Sequence, residues 1–165
     1  MDNNDILIRL RFAMEIKNKE MAEIFKLGGM DVTVPEVVKI LTRTDDYDEE
    51  SDDHIECDNN MLDSFLNGFI IFKRGKQEPK PGQPVKEEPS ISNHTNMNNI
   101  LLKKVKIALA LTTEDMLDIF DEGGIRVTKG ELGALLRKEG HKNYKQCGDN
   151  FARKFLRGLT VRYRG

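Results

Sequence analysis

The sequence predicts an all-α protein built as two tandem four-helix repeats related by internal duplication. Three observations predict it. Residues recur at a fixed offset, apolar residues follow helical rather than strand spacing, and four of the five prolines fall in one segment between the copies. At an offset of 95, Asn3-Asn4 meets Asn98-Asn99, Ile24-Phe25 meets Ile119-Phe120, Gly28-Gly29 meets Gly123-Gly124 and Val32-Thr33 meets Val127-Thr128. Residues 3–41 hold 13 identities over 39 positions without a gap. The match resumes at an offset of 90, where Cys57 meets Cys147, Phe65-Leu66 meets Phe155-Leu156, Gly68 meets Gly158 and Arg74-Gly75 meets Arg164-Gly165. The first copy therefore carries five extra residues between about 42 and 56. Repeats of this kind are read before any single helix, because missing them misreads the whole fold.

Each element follows from local chemistry. Asn4 or Asn3 is expected to cap a first helix carrying Ile6, Leu7, Leu10, Ala13 and Met14, and Ile100 to Leu111 repeats it. Asn18 and Thr113 are expected to cap the second helix, with Glu20 and Glu114-Asp115 near the positive end of its dipole. That helix stops at the double glycine, a residue type that accepts a left-handed turn. Thr33 and Thr128 begin the third helix with Glu36 and Glu131 three residues on, the spacing of a capping box. Pro35 sits in that first turn, where its missing N–H is harmless. Asp58 opens the fourth helix, as Gly148 or Asp149 does in the second copy. The second and third helices resemble a helix-turn-helix in outline.

The predicted organisation is a first repeat at 1–75, a Pro-rich flexible linker at 76–96 and a second repeat at 97–165. A repeat of this size has a marginal core alone, so the two are expected to lean on one another. Gly68 and Gly158 fall inside the fourth helices, where Gly costs about 1 kcal/mol relative to Ala. Two arrangements would offset that cost. The fourth helices, or the first, would pack across a pseudo-twofold axis; or each glycine would face a neighbour within its own repeat.

Composition excludes several classes. The chain has 165 residues, 38% hydrophobic and 33% charged, with two Cys and no Trp. No apolar stretch approaches the ~18–20 residues that span a bilayer, so no membrane association is expected. The opening Met1-Asp2-Asn3-Asn4-Asp5 shows no basic leader before an apolar run, and two Cys do not make a disulfide framework. A cytoplasmic location with reduced thiols is expected.

Charge is unequally shared. The first repeat has 9 basic and 17 acidic residues, a net −8, with Asp45 to Glu56 densely acidic. The second has 14 and 8, a net +6. Its cations are the candidate nucleic-acid contacts: Lys103, Lys104 and Lys106 early, Lys129, Arg137 and Lys138 in the middle. Arg153, Lys154, Arg157, Arg162 and Arg164 follow at the end. Lys and Arg so grouped would give salt-dependent phosphate binding. The plainer reading, which the sequence favours, is that opposite charges steer the repeats together or form solvated faces.

Other sites fail on spacing. His54 and His141 with Cys57 and Cys147 do not repeat as a zinc set, because His54 aligns with Tyr144. A buried structural Cys before the fourth helix is favoured over a redox thiol activated by that helix. The acidic segment has Glu50 where an EF-hand needs Gly. The third helix of the first repeat, Val34 to Leu41, is apolar and lacks the Arg, Asn or Gln that read bases. No P-loop, G-x-S-x-G, H-E-x-x-H or G-x-G-x-x-G occurs. No catalytic residue, metal site or cofactor is therefore expected.

The Asn-Asn start, the Gly-Gly before Val-Thr-x-x-Glu, Phe65-Leu66-Asn67-Gly68 and Tyr144-x-x-Cys147-Gly148-Asp149 together resemble the YehS-like family of duplicated bacterial proteins of unknown function. The resemblance implies a bacterial, cytoplasmic, all-helical protein and carries over no catalytic residues. The leading functional expectation is a non-enzymatic binding or regulatory module for a protein partner. The alternative is nucleic-acid-backbone binding through the basic second repeat, and an enzyme stands third. The sequence leaves the oligomeric state open.

Overall fold

A computed structural model of the chain describes residues 2–42, 55–75, 97–137 and 140–164. Those residues form eight helices arranged as two four-helix halves: α1 Asn3–Met14, α2 Asn18–Leu27, α3 Val34–Ile40 and α4 Asn59–Arg74, then α5 Met97–Ala108, α6 Thr113–Glu122, α7 Lys129–Leu136 and α8 Asp149–Arg164. The acidic run through Asp53, the Pro-rich segment, His54, His94 and Lys138 lie outside the described residues. The duplication extends to backbone detail. Glu15 and Ala110, which end α1 and α5, both take left-handed φ angles, 53° and 52°.

Within each half, α2 lies against α4, and α6 against α8. Both fourth-helix glycines face the second helix of their own half, so the internal arrangement holds for them. A Cβ on Gly68 would overlap the carbonyl oxygen of Ile24, and one on Gly158 that of Ile119. Gly28 and Gly123 need the same absence, because a Cβ there would strike the Ser64 or Lys154 carbonyl. The second glycine of each pair has a different task. Gly29 and Gly124 take φ values of 91° and 101°, which reverse the chain after the helix. Phe25 and Phe65 then meet at 5.1 Å, and their counterparts Phe120 and Phe155 at 5.3 Å.

The halves are joined by exchange. α1 packs mainly on α8 of the other half, and α5 on α4. The contact across the pseudo-twofold axis is thus first helix on fourth, rather than fourth on fourth or first on first. α1 buries Ile6, Leu7, Leu10 and Ala13 completely, and α5 buries Leu101, Leu102 and Val105. All belong to a single core cluster that draws on both repeats. One charge is enclosed in it. Lys104 on α5 donates to Asp63 Oδ1 and Asn67 Oδ1 of α4, each at 2.6 Å, and its side chain is fully covered.

The capping boxes at Thr33–Glu36 and Thr128–Glu131 form as expected, and Asp58 caps α4. Two expectations are corrected. α2 and α6 start one residue earlier than the sequence suggested, with Lys17 and Thr112 at the caps and Glu20 and Asp115 reaching back to their N–H groups. The first helix is capped by Asp2, not by Asn3 or Asn4, and α5 likewise begins at Met97 rather than Ile100. The paired asparagines are buried inside the first turn; Asn3 donates to the Asn59 side chain, whereas Asn4 binds remote backbone. Asn4 Nδ2 donates to the carbonyls of Ile40 (2.8 Å) and Ile55 (2.9 Å), while its Oδ1 accepts from the Cys57 N–H at 2.9 Å. Asn99 does the same with Leu135, Lys145 and Cys147. Both N–H donors and the oxygen of that amide are thus partnered by this clamp.

The packing predicts three outcomes. Gly158→Ala should destabilise the protein by roughly 3 kcal/mol or more, whereas Gly133→Ala in α7, with nothing near its Cβ position, should stabilise it by up to about 1 kcal/mol; urea denaturation midpoints check both. Residues 1–75 and 97–165 made as separate chains should each fail to melt cooperatively by circular dichroism, because each uncovers several side chains worth roughly 1.5–3 kcal/mol apiece.

Candidate anion-binding groove

The described surface carries a cationic concavity. It runs between α1 and α8 and has a volume of about 490 Å³. Helical spacing builds it. On α8, Asn150, Arg153, Arg157 and Thr160 succeed one another at intervals of three or four residues and so share a face, with Lys154 beside Arg153 and the buried Leu156 beneath. On α1, Ile8 and Phe12 lie one turn apart with Arg9 beside them. The floor is apolar and the rim cationic, and no acidic residue lines it. Phe12 is 51% exposed. The Arg164 guanidinium lies 4.1 Å from the Phe12 ring centroid and donates to the Phe12 carbonyl at 3.0 Å, closing one end of the groove. Asp149 stands one turn before Arg153 at the other end, where it accepts from Asn98 Nδ2 at 2.9 Å.

The sequence-predicted cations divide. Arg153, Lys154 and Arg157 line the groove, and Arg164 bounds it. Lys104 is withdrawn from the surface altogether, because it is enclosed with Asp63 and Asn67. Lys103 donates to the Arg137 carbonyl at 3.0 Å, which places both at the α5–α7 contact. Arg162 pairs with Asp115 at 3.0 Å, and Lys129 with Glu114 at 3.6 Å. Lys106 is half-buried near the end of α5. Three groove residues come from the first repeat and were not singled out by the sequence: Ile8, Arg9 and Phe12. The helix-turn-helix outline gains no readers, since α3 presents Val34 and Val38 to solvent.

A family model described as "Protein of unknown function (DUF1456)" matches residues 3–75 and 98–165. The chain is 38% identical over 162 residues to the Escherichia coli (strain K12) protein named "Uncharacterized protein YehS", a match covering 98% of this chain and 96% of that one. No solved structure matches the chain. Among the described residues no helix is long and apolar enough to cross a membrane.

The two cysteines are buried free thiols, each held through its own N–H by the asparagine clamp of its repeat. Position at the start of a helix would lower a thiol pKa. Burial outweighs it here. Desolvation first, then Asp58 and Asp2, push Cys57 up to about 12; desolvation and Asp149 do the same for Cys147. The thiolate is therefore scarce at neutral pH. Both thiols should resist a thiol-reactive disulfide reagent at pH 8 in the native protein and react promptly in urea, as followed by absorbance; fast native reaction would contradict the assigned burial.

Proposed function

This chain belongs to the DUF1456 family, and on that premise we propose that it is a non-catalytic binding protein whose ligand is the phosphodiester backbone of a nucleic acid, held in the α1–α8 groove. The observation that carries this reading is the convergence of Arg9, Arg153, Lys154 and Arg157 around an open groove whose lining holds no acid. Clustered cations beside an exposed ring suit a polyanion with flat bases, since phosphates meet the cations and bases stack on aromatic faces. A protein partner, which the sequence placed first, is supported by a separate feature. Val34 and Val38, one turn apart on α3, are 41% and 48% exposed. That patch is small, two side chains on one short helix.

The non-catalytic part of the reading rests on the groove's chemistry. Its polar side chains are cations, Asn150 and Thr160. No carboxylate or histidine stands among them to serve as a base for the Thr160 hydroxyl, and a nucleophile without a base is weak. The cytoplasm is the location such a ligand implies.

Binding of short mixed-sequence DNA and RNA to the full chain, titrated with salt, tests the proposal. Affinity should fall steeply with salt, each phosphate contact contributing about 0.7–0.9 to the log–log slope. The triple charge reversal Arg153→Glu, Lys154→Glu, Arg157→Glu should lower the slope by roughly two to three and leave the circular dichroism spectrum intact. Absence of binding at low salt, or an unchanged slope in the variant, would overturn it.

A further inference from the structure

The α1–α8 and α4–α5 seams are the same contact made twice, and only one of them is electrically complete. The offsets of 95 and 90 put Arg9 where the other seam has Lys104, Arg153 where it has Asp63, and Arg157 where it has Asn67. The folded chain honours that register. Arg164 donates to the Phe12 carbonyl at 3.0 Å, and Arg74 donates to the corresponding Ile107 carbonyl at 3.3 Å.

At the α4–α5 seam a cation from the first helix is enclosed by a carboxylate and an amide oxygen from the fourth, and the contact closes over it. At the α1–α8 seam all three positions are guanidinium groups, and Arg9, Arg153 and Arg157 remain exposed. The difference has a plain cause. Enclosing an ion without a counter-ion is strongly unfavourable, so three arginines keep their heads in water and the seam stands open as a groove. What it lacks is negative charge where its twin carries Asp63.

We infer that Arg9, Arg153 and Arg157 form a receptor for one phosphoryl group, which supplies to the α1–α8 seam the anion that Asp63 supplies to the α4–α5 seam. Phosphoryl fits better than carboxylate. Guanidinium forks bind phosphate oxygens in pairs, and a phosphoryl group offers oxygens enough for three such donors at once. Lys154 adds a fourth, unforked charge at the rim. The inference rests on the groove identified above and adds the chemical unit it takes. That unit reaches the protein either within a nucleic-acid strand or on a small phosphorylated compound.

Because the anion binds residues of both halves, it ties them together, and anything bound only by the folded state raises its stability. The full chain is heated in chloride and in pyrophosphate at matched ionic strength, and pyrophosphate affinity is measured by calorimetry. Pyrophosphate should raise the melting temperature in a concentration-dependent way that saturates. The decisive variant rebuilds the missing pair from the sister seam: Arg9→Lys with Arg153→Asp and Arg157→Asn. It should melt higher than the parent without ligand and lose the pyrophosphate response. A milder variant, Arg153→Gln with Arg157→Gln, should lose the response by tenfold or more in affinity while keeping the parent fold. A pyrophosphate response retained in either variant, or none in the parent, overturns the receptor. A third arm uses mixed-sequence oligonucleotides. If they bind parent and milder variant alike, nucleic acid binds outside the groove and that reading falls, while the pyrophosphate arm alone decides the receptor. If pyrophosphate binds the parent and oligonucleotides do not, the receptor stands and its phosphate comes from a small compound.

Discussion

Two helices in each half cross with backbone touching backbone, and the remaining architecture depends on that contact. α2 ends against α4 at Gly28 and Gly68, and α6 ends against α8 at Gly123 and Gly158. With no side chain between them, the helices approach until each glycine meets a carbonyl of the other. That approach brings Phe25 onto Phe65 and Phe120 onto Phe155. It also leaves α4 and α8 with their other faces uncommitted. Those faces are covered from outside the half, by α5 and α1. A repeat whose second and fourth helices are this tightly joined has little apolar surface left for its own first helix, and the exchange between halves follows.

Exchange creates two seams of common origin that have since separated in character. One is dry and closes over Lys104. The other is wet, cationic and concave. A buried ion pair is weak evidence for stability in general, because desolvation offsets much of the attraction. Here its value is positional. Lys104 reaches Asp63 and Asn67 only when α5 sits at one height along α4, so the pair fixes the register of the halves. The α1–α8 seam inherits that register from its twin through the shared core and is free to carry a different charge pattern.

How much of this was legible in the residues depends on how far apart the deciding partners lie. The Thr33–Glu36 and Thr128–Glu131 boxes, the Asp58 cap and the helix stop at paired glycines involve neighbours in sequence, and local chemistry predicted them. The asparagine pairs were misread because Asn at a helix start is an ordinary cap, while the actual partners of Asn4, at Ile40, Ile55 and Cys57, are remote. Lys104 reads as a surface cation because the groups that enclose it belong to the other repeat. The groove was half visible. Arg153, Lys154 and Arg157 stood out in a basic repeat, but summing charge over residues 1–75 let the acidic segment hide Arg9 on α1. Comparing the copies by identity concealed it too, since the informative correspondences at 9, 63 and 67 are substitutions.

The asparagine clamp pins the two flanks of one stretch of chain to a single side chain. Asn4 grips the backbone at Ile40 and Ile55, and Asn99 grips it at Leu135 and Lys145, so both ends of the intervening segment are stitched to one amide. Fourteen residues lie between the stitches in the first repeat and nine in the second. The entropy of closing such a segment grows only slowly with its length. This is therefore a port where an ancestor could gain or shed residues, or an engineer could graft a foreign peptide, while every helix kept its station.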